Sequence, residues 1–378
     1  MSAQISEQEF RTARMRSCIQ KVATGPEYSK DLSFDEAYDA MQIILSGEAD
    51  PVQAGIYMIA LRMKRETDTE NRASLQAIRD TMSPVTVEVD NLVDIADPYD
   101  GWVRGLPVSA FVAPVLAACG IPAVSTGLES VGPKHGMNHY RILGAAGIDV
   151  LRDQHSVKNH LENPDIGWGY IDQSRFCPAL NRLLPLRHTI VKRPLITTLE
   201  VLTKPFVASG KTHLMTGYVH KAYPPVYTNL ARSAGFDSAL IVRGVEGGVT
   251  PSLQQSAKCF SYHGDGKDLE TVLEPAALGI EQDNRCVPLP AELPMIQQPG
   301  REEKSIDIAA ASQAAVEAGL AALDGQKGYA YDSLVYASAL VIWHLEKATS
   351  LQSAADHARK AIDSGKAKAH FLALKDFG

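Results

Sequence analysis

The sequence contains few cysteines, no Cys-x-x-Cys pair and no apolar run that could cross a membrane. Its five cysteines are scattered over 378 residues, which predicts reduced thiols rather than a disulfide framework. A membrane-spanning helix needs about 20 consecutive apolar residues, and no stretch approaches that length. The first residues also lack the apolar core of a secretory signal. These absences predict a cytoplasmic protein without a membrane anchor.

An excess of positive charge is absent as well. The net charge is −7 and the isoelectric point is about 5.9, which argues against a surface that is basic throughout. A local basic cleft is compatible with that total. Composition alone therefore does not favour a protein dedicated to nucleic acid.

Several catalytic signatures are missing. The chain has no nucleophile elbow, no Walker motif and no dinucleotide fingerprint. His135 and His139 are four residues apart, but no third ligand lies near them in sequence, so hydrogen-bonded histidines are favoured over a metal site. The sequence therefore predicts no metal site and leaves the catalytic residues unassigned.

The chain does have the length and the apolar content for two domains. It has 378 residues, of which 45% are hydrophobic, and a single core rarely grows to that size. Ser33 and Glu36 form a capping box that opens an early helix. We predict an all-helical amino-terminal domain over residues 1–85, which helices near 178–204 could join, and an α/β domain over residues 86–378.

After the helical segment, short apolar strands alternate with helices, which predicts a mainly parallel central sheet flanked by helices. The predicted strands cover residues 92–96, 122–125, 148–151, 167–171, 213–219 and 239–242. The predicted helices cover residues 108–119, 178–190, 194–203, 224–235, 306–323, 331–347 and 351–364. The remaining segment, residues 252–304, is predicted to be a variable surface region with short strands.

Three glycine-bearing turns follow predicted strands and carry the polar residues of a candidate site. The turns contain Asp100 and Gly101, then Gly127, Lys134, His135 and Gly136, and finally Gly244 and Glu246. Ligands of open α/β sheets bind outside the carboxyl ends of the strands, where backbone N–H groups can hold an anion. Taken alone, the first turn is better explained as an ordinary turn and Glu246 as an exposed side chain. Together, the three turns predict a mouth for an anionic ligand.

Arginines are the candidate phosphate ligands. Arg187 and Arg193 could converge from either side of the break before Pro194, and Arg104 follows the first turn. A guanidinium group suits phosphate and carboxylate, although a charged helix end also explains this basic stretch. We predict a phosphorylated small molecule as the ligand.

The chain resembles the anthranilate phosphoribosyltransferase family, grouped as glycosyltransferase family 3 with the pyrimidine nucleoside phosphorylases. The likeness runs from Leu32 to the carboxyl terminus and includes Asp94-Ile95-Ala96, Cys177-Pro178-Ala179 and Ala361-Ile362-Asp363-Ser364-Gly365-Lys366-Ala367. It implies a helical domain joined to an α/β domain, a substrate cleft between them, and a homodimer formed through the amino-terminal helices. It also places Arg187 at the arginine that contacts the aromatic acid substrate, and Arg193 at a nearby framework arginine.

The resemblance also shows where this chain departs from the family. The family's diphosphate loop, Gly-Thr-Gly-Gly-Asp-Gly, becomes residues 97–101, so that Asp97 adds a negative charge where a diphosphate would lie. A metal-binding serine becomes Leu106, and the Lys-His-Gly-Asn motif becomes residues 125–128. The acidic pair that holds magnesium aligns with Val249 and Thr250. Because Mg²⁺ prefers hard oxygen ligands, the resemblance argues against magnesium at the family position.

Two functions remain open at this point. The first is a divergent pentosyltransferase, related to phosphoribosyltransferases, that is not a true anthranilate phosphoribosyltransferase and whose activity is uncertain. The second is a non-catalytic nucleic-acid-binding paralogue, against which the net charge and the lack of interleaved aromatic residues count. Its basic patch would comprise Arg175, Arg182, Arg187, Lys192, Arg193, Lys204 and Lys211.

Overall fold

The computed structural model describes residues 6–25, 27–297 and 303–377. Its α-helices are α1 (Glu7–Val22), α2 (Phe34–Ser46), α3 (Pro51–Lys64), α4 (Asp68–Arg79), α5 (Val112–Ala118), α6 (His139–Ala145), α7 (Gln154–Glu162), α8 (Gln173–Phe176), α9 (Pro178–Asn181), α10 (Leu184–Ile190), α11 (Ile196–Leu199), α12 (Tyr223–Ser233), α13 (Ile308–Leu323), α14 (Tyr329–His344), α15 (Leu351–Asp363) and α16 (Lys366–Asp376). Short 3-10 helices cover Val108–Phe111, Glu200–Leu202, Val245–Gly247 and Pro275–Leu278.

The strands are β1 (Val85–Val87), β2 (Asn91–Ala96), β3 (Ala123–Gly127), β4 (Trp168–Asp172), β5 (Phe206–Ala208), β6 (Lys211–Gly217), β7 (Ser238–Val242), β8 (Ala257–His263), β9 (Leu269–Leu273), β10 (Met295–Ile296) and β11 (Ser305–Ile306). Within the described ranges, no helix is both long enough and apolar enough to cross a membrane.

The amino-terminal helices begin at side chains that cap their free N–H groups. Ser33 accepts a hydrogen bond from the backbone of Glu36, and the Glu36 carboxylate accepts one from the backbone of Ser33, so the predicted capping box is confirmed. Gly47 ends α2 with a φ of 82°, a conformation that favours glycine. Helix α1 packs on α2 and α3, and α2 packs on α4, which gives a helical bundle.

The described residues form a seven-stranded central sheet in the order β4-β3-β2-β6-β7-β8-β9. The five strands β4, β3, β2, β6 and β7 run parallel to one another, and β8 pairs antiparallel with both β7 and β9. The predicted fold class is therefore confirmed: a helical amino-terminal part and an α/β part with a mainly parallel sheet flanked by helices. The strand order turns back at β2, because β3 lies on one side of it and β6 on the other. Ligands of open α/β sheets bind at such a switch point.

Two segments differ from the prediction. Residues 148–151 form a turn rather than a strand, because the buried Ile148 and Val150 anchor a loop that has no partner strand. Residues 252–304 are not only a surface segment, since β8 and β9 complete the central sheet. Cys259 and Tyr262 of β8 are both buried although they lie on opposite faces of the strand, so both faces of β8 are covered.

The sheet separates two clusters of buried apolar side chains. Val93 and Ile95 of β2 point to the cluster formed with the carboxyl-terminal helices. Leu92 and Ala96 point to the opposite cluster, which also contains the apolar faces of α1 to α4. This alternation follows from the period of two residues in a strand. The bundle therefore shares an apolar cluster with one face of the sheet, and α12 links the two because it packs on both α4 and β7.

The segment near 178–204 is more broken than predicted. It contains α9, α10, α11 and the 3-10 helix Glu200–Leu202 instead of two longer helices. Its buried Leu180, Ile196 and Leu199 lie in the same apolar cluster as the bundle. The segment thus forms one wall between the bundle and the sheet edge.

Candidate anion-binding cleft

A cleft of about 1010 Å³ opens at the carboxyl edge of the sheet. Its floor contains Asp100 after β2, Lys134 after β3 and Glu246 after β7. Helices α3 and α12 and the segment before α11 form the facing wall, where Arg62 and Arg193 lie. The cleft therefore lies at the switch point of the sheet and against the helical bundle.

The turns after β2 and β3 contact each other through their backbones. Trp102 donates its N–H to the Met137 carbonyl at 2.7 Å, and Met137 donates back at 2.9 Å. The N–H of Gly136 bonds to the Asp100 carbonyl at 2.9 Å. A Cβ atom on Gly136 would lie 2.4 Å from the Trp102 carbonyl oxygen, so the contact requires glycine.

The turn after β7 joins the other two through one carboxylate. Glu246 Oε1 accepts hydrogen bonds from the N–H groups of Val103 at 3.1 Å and Arg104 at 2.7 Å. Glu246 itself has a φ of 52°, which is uncommon for a residue with a side chain. The three glycine-bearing turns predicted from the sequence are therefore brought together in one place.

Opposite charges alternate across the floor of the cleft. The Lys134 ammonium donates a short hydrogen bond to the Gly101 carbonyl and lies 3.3 Å from Glu246 Oε2 and 3.7 Å from Asp100 Oδ1. The Arg193 guanidinium binds Asp100 Oδ2 through its Nη2 atom and, at 3.1 Å, through Nε. Asp100 thus holds two cations, one on each carboxylate oxygen.

Asp97 does not project a charge into the cleft, which corrects the expectation for this residue. It is buried, and its carboxylate accepts hydrogen bonds from the Trp102 indole and from the Val249 N–H, each at 2.9 Å. Asp97 therefore shapes the loop, because it fixes Trp102 and the turn after β7 relative to β2. The buried His139 bonds to Ser125 and Ser109, as the prediction of hydrogen-bonded histidines required, and burial lowers its pKa.

Arg187 lies outside the cleft, contrary to the prediction that it converges with Arg193. Its guanidinium is 1% exposed and binds both carboxylate oxygens of Glu200, at 2.6 and 2.8 Å. A bidentate pair of this kind uses the donors that a phosphate or carboxylate ligand would need. The structure therefore gives Arg187 a buried partner from its own chain.

The remaining predicted residues divide into three groups. Arg104 lines the cleft, whereas Gly101 and Gly244 shape its turns. Gly127 and His135 do not line it: a Cβ atom on Gly127 would contact the Tyr170 hydroxyl at 2.9 Å, and His135 Nδ1 bonds to Ser130 at 2.9 Å. The cleft thus receives Asp100, Arg104, Lys134, Arg193 and Glu246 from the predicted set.

Several lining residues were not predicted. Arg62 of α3 lies 5.2 Å from the ring centroid of Tyr223 and donates a hydrogen bond to Thr198 at 3.2 Å. Tyr223 and Tyr227 are one helical turn apart on α12, with ring centroids 5.9 Å apart. In the sequence, only the four-residue spacing of the two tyrosines indicates that they share one face of a helix. The local sequence does not show which face of α12 or α3 is directed towards the cleft.

Metal ligands are not assembled in the described part of the chain. Among residues 6–25, 27–297 and 303–377, no group of three or more His, Cys, Asp or Glu side chains could hold a metal ion. Val249 and Thr250, which stand where the family has its acidic pair, are buried and offer no carboxylate. The two carboxylates of the cleft, Asp100 and Glu246, already contact Lys134.

Comparison with known proteins identifies the class to which this fold and cleft belong. Residues 16–82 match the helical bundle domain of a glycosyl transferase family, and residues 103–286 match the α/β domain of the same family. The chain belongs to this glycosyl transferase family.

Its relatives within the family include anthranilate phosphoribosyltransferases. The chain is 27% identical over 365 residues to the enzyme of Thermomicrobium roseum, and the match covers 95% of both proteins. It is 27% identical over 359 residues to the enzyme of Petrotoga mobilis, again with 95% of each covered.

Solved structures show the same fold. The anthranilate phosphoribosyltransferase of Saccharomyces cerevisiae, in complex with PRPP and Mg, superposes with a TM-score of 0.75 at 18% identity, covering 99% of each chain. The enzyme of Thermus thermophilus gives 0.72 at 20% identity, covering 96% of this chain and 98% of that one.

Proposed function

We propose that this protein is a divergent pentosyltransferase whose cleft binds a phosphorylated sugar, and that anthranilate is not its acceptor. The observation that carries the proposal is the meeting of Lys134, Arg193 and Arg104 in one cleft at the switch point of a glycosyl transferase fold. The yeast relative was solved with PRPP, a phosphorylated sugar, which supports this ligand class for the present cleft.

The cations suit the chemistry of glycosyl transfer. In this reaction the bond between the anomeric carbon and a phosphate oxygen breaks, and the electron pair leaves with the phosphate group. The acceptor forms a new bond to the same carbon and releases a proton. Positioned cations stabilise the departing anion, so transfer needs no covalent intermediate on the protein. Arg193, with a side chain 43% exposed, is the cation best placed to meet a ligand that enters the cleft.

The proposal that anthranilate is not used depends on Arg187. The resemblance places Arg187 where the family contacts the aromatic acid, but here its guanidinium pairs with the buried Glu200. Exposing Arg187 to a substrate carboxylate would leave Glu200 buried without its counter-charge, which costs several kcal/mol. An acceptor without that carboxylate fits the cleft better.

A binding experiment tests the ligand class. Isothermal titration of the protein with ribose 5-phosphate and with phosphoribosyl diphosphate should give saturable binding. Arg193→Gln should weaken it by about 10- to 100-fold, because a hydrogen bond to a charged group contributes about 1.5–3 kcal/mol. Lys192→Gln is the matched control, since Lys192 is exposed and does not line the cleft. Equal affinity of the Arg193 variant and the parent protein would contradict the proposal.

An activity assay tests the acceptor. Anthranilate supplied with phosphoribosyl diphosphate and Mg²⁺ should not be converted, which the fluorescence of anthranilate reports directly. Conversion at a rate typical of enzymes, about 10 per second, would overturn the proposal for the acceptor. The binding experiment above would still decide the ligand class.

Nucleic-acid binding has less support. Of the seven cations proposed for that patch, Arg187 and Lys204 are buried. Lys204 donates to the Gly235 carbonyl, and burial lowers its pKa. Arg182 donates to the Leu45 carbonyl at 3.1 Å. No second function is therefore proposed.

We further propose a homodimer through the amino-terminal helices and a cytoplasmic location. Val52, Ile56 and Met63 form an apolar stripe on α3 and are 67%, 45% and 78% exposed. Multi-angle light scattering should show a dimer that Met63→Glu weakens, and a monomeric parent protein would contradict this.

The cytoplasmic location is supported by the cysteines. All five lie in described ranges and are free, which agrees with a reducing compartment.

A further inference from the structure

The Lys134 ammonium is surrounded by oxygen atoms. Its neighbours are the Gly101 carbonyl, Glu246 Oε2 at 3.3 Å and Asp100 Oδ1 at 3.7 Å. Its side chain is 18% exposed, and those of Asp100 and Glu246 are 6% and 9% exposed. Two carboxylates and a carbonyl are also the type of ligand set that a hard divalent cation takes in proteins.

The position of Lys134 is built into the three turns. The close contact of Gly136 with Trp102 fixes the turn that carries Lys134 against the turn that carries Gly101. Glu246 is held by the N–H groups of residues 103 and 104, so its second oxygen is directed towards Lys134. The ammonium is thus a fixed charge on the floor of the cleft rather than a mobile surface lysine.

A divalent cation does not fit beside this arrangement. The two carboxylates are balanced by two cations, because Arg193 binds the second oxygen of Asp100. A metal ion bound between Asp100 and Glu246 would occupy the place of the Lys134 ammonium. If the ammonium stayed next to the metal ion, the repulsion between these two positive charges would be strong, because the site is partly buried. The family's own metal position offers only Val249 and Thr250 here.

We infer that the Lys134 ammonium takes the place of a divalent cation in this cleft, so that a phosphorylated ligand binds without Mg²⁺. The identity of the ligand rests on the proposed function, whereas the exchange of a metal for an ammonium rests on the cleft alone. Removing the ammonium should therefore create a metal site where the parent protein has none.

The first experiment uses Mn²⁺ alone as the probe. Electron paramagnetic resonance should detect no stoichiometric Mn²⁺ site in the parent protein and one site in Lys134→Ala. The affinity of that site for Mn²⁺ should be at least about tenfold higher than any residual binding of Mn²⁺ to the parent protein. Lys134→Arg should remain like the parent protein because it keeps the charge, and Lys192→Ala controls for a change in net charge. A second variant, Lys134→Met, and thermal melts verify that the effect does not come from unfolding. A Mn²⁺ site in the parent protein, or none in both neutral variants, would overturn the inference.

The second experiment measures the ligand. Ribose 5-phosphate should bind the parent protein with the same affinity in EDTA as in Mg²⁺, and Lys134→Ala should bind it more tightly when Mg²⁺ is added. An increase of about tenfold on adding Mg²⁺ to the parent protein would overturn the inference. If ribose 5-phosphate binds in neither condition, the proposed function fails, and the Mn²⁺ experiment still decides the role of Lys134.

Discussion

Two arginines of one short segment show how burial decides what a charged side chain can do. The side chain of Arg187 is 1% exposed and pairs with an equally buried carboxylate, whereas that of Arg193 is 43% exposed and pairs with Asp100 at the cleft. A buried bidentate pair is closed to ligands, because separating it leaves two buried charges without water or a counter-charge. In the second pair the guanidinium itself reaches solvent, and the buried Asp100 keeps Lys134 as a second cation when Arg193 turns to a ligand. Arg193 is therefore the one that can bind an anion.

The first prediction concerns the stability contributed by the Arg187–Glu200 pair. Arg187→Met should lower the free energy of unfolding by about 3–5 kcal/mol, because Glu200 is then buried without its counter-charge. Urea denaturation followed by circular dichroism measures this value.

The matched control replaces both partners. Arg187→Met combined with Glu200→Leu should recover much of the lost stability, since an apolar pair of similar volume carries no desolvation penalty. A single variant that loses less than about 1 kcal/mol, as is typical of exposed pairs, would show that Arg187 is not held as described.

Lys134 and Glu246 could be predicted from the sequence, but the role of Arg187 could not. The first two follow strands of a parallel sheet, and parallel strands bring their carboxyl ends to one edge. Arg187 is neutralised by Glu200, which is 13 residues away and on a different helical segment, so no periodic pattern links them. Arg62 was missed for a related reason: it belongs to a helix whose contact with the sheet is set by tertiary packing.

At the scale of elements, the cleft depends on loops that touch rather than on single side chains. The turns after β2 and β3 exchange two backbone hydrogen bonds between Trp102 and Met137. The turn after β7 is tied to them through Glu246 and through Asp97. A shift of any one turn would therefore displace Lys134 relative to both carboxylates.

The second prediction tests this contact between turns. Gly136→Ala places a Cβ atom 2.4 Å from the Trp102 carbonyl oxygen, and a backbone atom cannot move aside without moving its turn. We expect a lower melting temperature and weaker binding of ribose 5-phosphate, measured by differential scanning fluorimetry and titration.

Gly55→Ala is the control for this substitution. Gly55 lies within α3, where an added Cβ atom would have ordinary contacts with Ile190 at 3.7 Å. Alanine in a helix interior is favoured over glycine by about 0.5–1 kcal/mol, so this variant should be at least as stable as the parent protein. Equal stability and binding of the Gly136 variant and the parent protein would show that the turns are not in close contact.

Errors in predicted elements have a common physical origin. Ile148 and Val150 alternate with exposed residues as in a strand, yet they only anchor a turn, because alternation reports burial and not pairing. The strands β8 and β9 were underestimated because β9 is largely exposed at the edge of the sheet and lacks a continuous apolar run. Helix starts were predicted better, since a capping box is a local interaction.

At the scale of the whole molecule, the sheet joins the bundle to the carboxyl-terminal helices through two cores. Its carboxyl edge holds the cleft, and its opposite edge holds a histidine cluster in which His213 and His344 are buried. His213 Nδ1 is 2.7 Å from Ser238 Oγ, which is 2.8 Å from His344 Nε2. The ring of His263 stacks on that of His344 at 4.3 Å. The cluster connects β6, β7 and β8 to α14.

Burial favours the neutral forms of His213 and His344 in the folded protein. Desolvation lowers the pKa of His213 to about 4 and that of His344 to about 3, and the neighbouring histidines lower the latter further. The other charged groups that act on His213 are Asp237, which opposes the shift, and Lys211 and Lys204, which add to it. In the unfolded chain these histidines would titrate near pH 6.5.

A buried carboxyl group acts in the opposite sense. Burial raises the pKa of Asp94 to about 7, with a hydrogen bond from Thr126 opposing the shift. Its contribution therefore destabilises the fold as pH rises from about 4 to 7, because the unfolded carboxyl ionises first. The histidine contribution must be isolated from it by substitution.

The third prediction is acid lability that originates in the histidine cluster. Between pH 6.5 and 4, His213 and His344 bind protons in the unfolded chain but stay neutral in the folded protein. Their contribution to the free energy of unfolding therefore falls as pH falls. His344→Gln should make the free energy of unfolding less dependent on pH over this range, whatever its effect at pH 7. The slope of that free energy against pH should fall by an amount that corresponds to at most one bound proton. Urea denaturation at half-unit pH steps measures the slope, and His155→Gln, on the exposed surface of α7, is the control. An unchanged slope in the His344 variant would mean that this histidine takes up protons in the folded protein as it does in the unfolded chain, and hence that burial does not lower its pKa.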